Sequence, residues 1–91
     1  MKTGIEFVEL MRSNGFQKID TGGNCTAYQR ITDNGDEILI TQVDDPCVPC
    51  SDDEPIRYGL YDKEGNNIES ELFNNIYEYF YLYDKGDQHN G

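Results

Sequence analysis

The residues with the most chemical potential stand together in one stretch, DDPCVPCSDDEP, at positions 44–55. Two thiols form a C-x-x-C pair, Cys47 and Cys50. The flanking carboxylates are Asp44, Asp45, Asp52, Asp53 and Glu54. Such a stretch could hold a metal ion, act as a redox pair, or present negative charge to a cationic partner.

The cysteine pair by itself is a weak metal or redox signal. A structural zinc site needs four ligands, usually from two such pairs, and the other soft ligands here are Cys25 and the C-terminal His89. A redox thiol needs nearby cations or a helix N-terminus, whereas carboxylates flank this pair. We therefore interpret the cysteines as small side chains that pin the loop, and we expect no cofactor. A metal-binding or redox module using Cys47 and Cys50, with Cys25 as a third ligand, stays open as an alternative.

Other catalytic and metal-binding patterns are missing from the sequence. An EF-hand loop ends on glutamate at its twelfth position, but the twelfth residue counted from Asp33 is Asp44, and counted from Asp62 it is Phe73. Neither a G-x-S-x-G motif nor a phosphate-binding loop with its lysine is present. We therefore expect a protein that is not an enzyme.

Charge is the strongest compositional signal. Eighteen acidic residues oppose seven basic ones, a net charge of −11, and the segment 33–54 contains eight acids and no Lys or Arg. Such a surface repels nucleic acid and membrane phosphates, and it attracts basic proteins. High acidity also serves solubility, so composition alone does not choose between these explanations.

Hydropathy and cysteine content indicate the cellular compartment of the protein. No apolar run is long enough to span a bilayer, and the acid-rich N-terminus is unlike an export signal. An odd number of cysteines suits a reducing compartment better than a disulfide scaffold. We expect a cytoplasmic protein, in the cytoplasm of the host cell if a phage encodes it.

Local signals predict the elements that position the acidic stretch. Thr3 and Glu6 fit a capping box that opens a helix, and Gly15 can end it in the left-handed conformation. TGGN at 21–24 and DNGD at 33–36 indicate tight hairpin turns. The run EILITQV that follows is apolar on both faces, so it predicts a central strand.

The C-terminal third predicts a second helix. Ser70 can cap it, and apolar residues recur at helical spacing after it. Short turns between strands require an antiparallel meander. The expected fold is therefore a two-layer α+β domain over residues 1–84, with three or four strands and with N- and C-terminal helices packed on one face. Residues 85–91 are expected to form a flexible polar tail.

Strand alternation also predicts a second face of the sheet, away from the helices. We assign five side chains to it: Thr26, Tyr28, Arg30, Arg57 and Tyr61. Exposed tyrosine beside carboxylate and arginine is typical of a protein-binding patch, although cross-strand aromatic pairs on a solvated face give the same pattern. With the five carboxylates of the acidic stretch, we expect Asp36, Glu37, Tyr58 and Tyr61 to contact a partner.

Three segments carry a resemblance: TGGNCTAYQR at 21–30, DNGDEILIT at 33–41 and RYGLYD at 57–62. This pattern resembles small uncharacterised proteins of phages and bacteria over roughly residues 6–68. The resemblance implies a shared fold and no activity. In size, acidity and α+β make-up the chain is also similar to phage inhibitors of host DNA-binding proteins, such as uracil-glycosylase inhibitors and several anti-CRISPR and anti-restriction proteins.

The sequence therefore predicts a non-enzymatic inhibitor of a basic host protein. The partner would be a defence nuclease effector, a restriction enzyme or a DNA-binding transcription regulator, and the carboxylates would mimic nucleic acid at its binding site. Direct contact with nucleic acid or with a membrane is not expected. A structural or assembly accessory protein, homodimeric through the tyrosine-bearing face, is a further alternative.

Overall fold

The computed structural model describes the backbone of residues 2–90 and the side chains of residues 2–83. The elements are α1 (Gly4–Ser13), β1 (Gln17–Gly22), β2 (Cys25–Ile31), β3 (Glu37–Gln42), β4 (Ile56–Tyr61), β5 (Asn67–Phe73) and α2 (Ile76–Asn90). One antiparallel sheet holds the strands in the order β1-β2-β3-β4-β5. The predicted α+β class, the antiparallel meander and the central position of β3 are confirmed, with five strands in place of three or four. The flexible polar tail predicted for residues 85–91 stays a prediction, because the side chains of this segment lie outside the described residues.

Strand β5 is the element that the sequence analysis missed. Leu72 and Phe73 match the helical spacing of the residues after them, which predicted a helix from Ser70. In the fold, Asn67–Phe73 instead pairs along the whole of β4, with Phe73 opposite Ile56. The turn at 62–66 brings this segment back along β4, and the ladder of backbone hydrogen bonds outweighs a local preference, as is common for strands.

The helix ends follow the sequence in one case and depart from it in another. Gly15 has a φ of 87°, and the N–H of Phe16 donates to the carbonyl of Met11 at 3.0 Å, so α1 ends in the predicted left-handed cap. The predicted capping box is wrong, because the Thr3 side chain makes no capping hydrogen bond. Thr3 instead forms an isolated antiparallel bridge with Ser51.

Two hairpins use the same five-residue turn, at 32–36 and 62–66. In each, the N–H of the fourth residue donates to the carbonyl of the first: Gly35 to Thr32 at 2.9 Å, and Gly65 to Asp62 at 3.0 Å. Both glycines have a positive φ, 89° and 87° respectively, which a residue with a Cβ adopts only under strain. Because these turns join β2 to β3 and β4 to β5 in an antiparallel meander, they lie at the same end of the sheet. A Cβ on Gly35 would meet the Lys63 side chain there.

The core lies between the helices and one face of the sheet. Phe7 of α1 packs edge-on against Tyr28 with ring centroids 5.8 Å apart, and Tyr79 of α2 packs against Tyr58 at 5.3 Å. Met11, Ile40, Ile56 and Ile76 fill the space between them and are all fully buried.

Tyr28 is 2% exposed, and Thr26 and Arg30 share its side of β2. The prediction that placed these three side chains on the outer face is therefore wrong. Both faces of β2 carry mixed residues, so alternation alone does not say which face turns inward; the Phe7 ring decides it. Arg57 and Tyr61 do lie on the outer face, because their side chains point to the side of β4 away from Tyr58.

Candidate functional site

The acidic loop, residues 43–55, folds back against the end of the sheet. The Thr26 N–H donates to the Pro46 carbonyl at 3.1 Å, and the Gln42 N–H donates to the Cys47 carbonyl at 2.9 Å. The Val48 N–H donates to Thr26 Oγ1 at 3.1 Å, and Pro49 is among the fully buried side chains. The loop is therefore held in place by backbone hydrogen bonds and a buried proline.

Asp52 ties the acidic loop to the N-terminal segment and to the first turn of α2. Its side chain is 6% exposed and accepts a hydrogen bond from the Tyr77 hydroxyl at 2.6 Å, while its N–H donates to the Lys2 carbonyl at 3.0 Å. The bond from Tyr77 lowers the pKa of Asp52 and raises the pKa of Tyr77, because it stabilises the carboxylate and holds the phenol proton.

The other carboxylates of the acidic loop divide into two groups. Asp53 accepts a hydrogen bond from Ser51 Oγ at 2.7 Å, and Glu54 accepts one from the Cys50 N–H, so these two also brace the loop. Asp44 and Asp45 are exposed, and their side chains make no hydrogen bond within the described part of the chain. Asp44 and Asp45 are therefore the loop carboxylates with no bracing role there.

The remaining predicted contact residues lie elsewhere. Asp36 and Glu37 stand at the opposite end of β3, about 17 Å away at the usual rise of a strand, and Glu37 accepts a hydrogen bond from Gln29. Tyr61 is half-buried and lies over Gly59, where a Cβ would come within 2.8 Å of its ring. Tyr58 is a core side chain, 2% exposed, and is not available to a partner in this fold. The nine residues therefore do not form one patch.

A groove on the outer side of α2 is the surface feature that the sequence analysis did not single out. Tyr77, Tyr81 and Leu82 are 45%, 66% and 55% exposed, and with Phe73, Asn75 and Glu78 they line an open groove of about 460 Å³. We call this the α2 groove. The signal in the sequence is the i, i+4 spacing of Tyr77 and Tyr81, which is out of phase with the buried Ile76 and Tyr79.

The start of α2 fixes this groove beside the acidic loop. Asn75 Oδ1 accepts a hydrogen bond from the Glu78 N–H at 3.1 Å, and Glu78 Oε1 accepts one from the Asn74 N–H at 2.9 Å. The first bond satisfies a backbone donor that the first turn of α2 leaves free, and the second satisfies the N–H of a residue just before the helix. Together with the contact between Tyr77 and Asp52, they hold the groove against the loop.

The alternative metal or redox module depends on the three cysteines. Cys25, Cys47 and Cys50 are free thiols, and Cys25 Sγ lies 3.7 Å from the Gly23 carbonyl. Among the described side chains, no group of three or more His, Cys, Asp or Glu is placed to hold a metal ion.

Neither helix, over its described residues, combines the length and apolar character that a bilayer-spanning helix requires. No protein-family model, curated protein or solved structure matches the chain.

Proposed function

We propose that the protein is a non-enzymatic, acidic inhibitor that binds a basic protein through the α2 groove and the adjoining acidic loop. The observation that carries the proposal is the 2.6 Å hydrogen bond from Tyr77 to Asp52. It places an exposed aromatic groove directly beside a segment rich in carboxylates. Binding would block the partner's own site by occlusion.

The α2 groove supplies apolar contacts that can give affinity, which charge alone does not. Charges at the rim of an interface raise the rate of encounter more than they raise affinity. Affinity comes mainly from a few aromatic or apolar anchors that lose their water on binding. Tyr81 and Leu82 offer such anchors, and Tyr77 is already held in position by Asp52.

Charge complementarity indicates which kind of molecule binds in the α2 groove. The chain carries a net charge of −11, and Asp44, Asp45, Asp53 and Glu78 belong to the loop or to the groove. A second copy of this chain would be repelled. We therefore assign the groove to a basic protein that presents an apolar side chain flanked by Lys or Arg. A nucleic-acid-binding host protein fits this description, in the classes of nuclease effector, restriction enzyme or DNA-binding regulator.

The test begins with site-specific capture. A photo-crosslinking amino acid at position 81, and at position 68 as a control, separates the groove from another exposed apolar position on the surface. The expected product at position 81 is a protein with a basic nucleic-acid-binding surface, and none is expected at position 68. Capture of the same proteins at both positions, or of acidic proteins at position 81, would overturn the assignment.

Binding kinetics with the captured partner then distinguish the contribution of the α2 groove from that of the acidic loop. Tyr81→Ala with Leu82→Ala should raise the dissociation rate, and Asp44→Lys with Asp45→Lys should lower the association rate and its dependence on salt. Ile68→Ala is the matched control and should change neither rate. Asp52 is unsuited to charge reversal because it holds the loop. Unchanged rates in both double variants, or no effect of the protein on nucleic-acid binding by the partner, would contradict the proposal.

A further inference from the structure

A second cavity, of about 610 Å³, lies on the core side of the sheet. Its floor is a cross-strand row in which Arg30, Ile38, Leu60 and Glu69 stand opposite one another on four adjacent strands. Paired residues of adjacent strands point to the same face. The row therefore places a cation at one end, an anion at the other and two aliphatic side chains between them. We call this space the row cavity.

Aromatic side chains form one wall of the row cavity. Tyr79 and Tyr83 stack with ring centroids 5.0 Å apart, and Tyr58 lies 4.8 Å from Tyr83. The β2–β3 hairpin contributes residues 31–34 to the lining. A volume of this size is within the range of about 300–1,000 Å³ that small-molecule sites occupy.

Both charged ends of the row are held in place by neighbours. The hydroxyls of Tyr58 and Tyr83 each donate to Glu69 Oε1 at 2.9 Å, and Glu69 Oε2 makes no hydrogen bond in the described part of the chain. At the other end, a Cβ on Gly15 would lie 3.5 Å from Arg30 Cδ and Nε, so the arginine stem rests against the end of α1. A site whose polar groups are already oriented loses less free energy on ordering when a ligand binds.

We propose that the row cavity binds a short linear amphoteric molecule, with its anionic end at Arg30, its ammonium end at Glu69 and an apolar chain over Ile38 and Leu60. Three strand spacings separate the Cα atoms of Arg30 and Glu69, about 14 Å in all, and both side chains extend over the row and shorten that span. An α-amino acid is too short to reach both ends. An ω-amino carboxylate of about eight carbons, or an apolar tripeptide with free termini, has the required separation of charge.

This ligand site is independent of the protein-binding surface, because Tyr79 and Tyr83 line the row cavity whereas Tyr77, Tyr81 and Leu82 line the α2 groove. The full chain, isotopically labelled, would be titrated with 8-aminooctanoate or trialanine and followed by NMR. Octanoate and octylamine, which carry one charge each, serve as ligand controls. We expect both amphoteric probes to bind at least about tenfold more tightly than either control, since each lost charged contact is worth roughly 1.5 kcal/mol or more.

The variants Glu69→Gln and Glu71→Gln make a matched pair. Glu71 lies on the same strand and the same face, opposite Tyr58, but outside the lining of the cavity. Glu69→Gln should weaken 8-aminooctanoate about tenfold and leave octanoate unchanged, and Glu71→Gln should change neither. The proposal is overturned by an absence of saturable binding, by equal binding of octanoate, by equal effects of the two variants, or by shift changes confined to the α2 groove. Preference for trialanine over 8-aminooctanoate would identify peptides as the natural class, and the reverse would identify ω-amino acids.

Discussion

Replacement of Tyr58 by Phe removes one buried hydroxyl and keeps the ring that packs on Phe73, Tyr79 and Tyr83. The lost bond, 2.9 Å to Glu69 Oε1, joins a neutral donor to a charged acceptor, and such bonds contribute about 1.5–3 kcal/mol. Glu69 is exposed and keeps the Tyr83 hydroxyl, so no buried group is left without a partner.

We therefore expect a loss of about 1.5 kcal/mol, at the lower end of that range. In a domain of this size each kcal/mol shifts the melting temperature by about 4–8 °C, so Tm should fall by about 6–12 °C. The loss is substantial beside a total stability of about 5–14 kcal/mol for a chain of this length.

Thermal unfolding followed by circular dichroism tests this expectation. Tyr61→Phe is the control, because the Tyr61 hydroxyl makes no hydrogen bond in the described residues, and it should melt with the wild type. A double-mutant cycle with Glu69→Gln isolates the bond itself. If Tyr58→Phe melts with the wild type, or loses as much stability when Glu69 is already Gln, then the hydrogen bond between Tyr58 and Glu69 does not stabilise the fold.

Two further predictions concern how the stability of the wild-type fold depends on pH. Burial raises the pKa of Tyr83 to about 12 and also raises the pKa of Tyr58. The two phenols therefore ionise less readily in the folded state than in the unfolded state. Their contribution to stability is fully present below the ordinary pKa of 10.0 and declines as the pH rises towards 12. Tyrosinate absorbance should therefore show a late ionisation step that coincides with unfolding, and titration of every tyrosine near the ordinary value with the fold intact would refute the burial argument. The Tyr77 bond lowers the pKa of Asp52, so its contribution is fully present above the unfolded value of 3.8 and is lost as the pH falls through the lower folded pKa. Tyr77→Phe should lower the urea midpoint at neutral pH by an amount that shrinks on acidification, whereas a difference independent of pH would show that the Asp52 charge plays no part.

The features that were predictable from sequence are those encoded within a few residues. Gly15 and the two turn glycines, Gly35 and Gly65, mark positions of positive φ that other residues adopt only under strain. The apolar run of β3 has no polar face to expose, which made its central position predictable. The excess of acids over bases is a property of composition and needs no fold.

The candidate sites were less predictable because they depend on contacts between distant segments. Asp52 looked like one of five equivalent carboxylates, yet Tyr77, 25 residues away, makes it a structural anchor. Asp36 and Glu37 are close to the acidic loop in sequence and a strand length away in space. Arg30, Ile38, Leu60 and Glu69 become neighbours only when four strands align.

By itself the sequence determined the turns, the first helix, the α+β class and the negative charge, since each follows from local conformational preference or from simple addition. Only the tertiary structure decided that β5 is a strand, that Tyr28 faces inward, and that the acidic loop folds back beside the α2 groove. The physical reason is that a segment with mixed polarity has similar local free energy in two conformations or on two faces. Pairing with β4 and packing against Phe7 then make the choice.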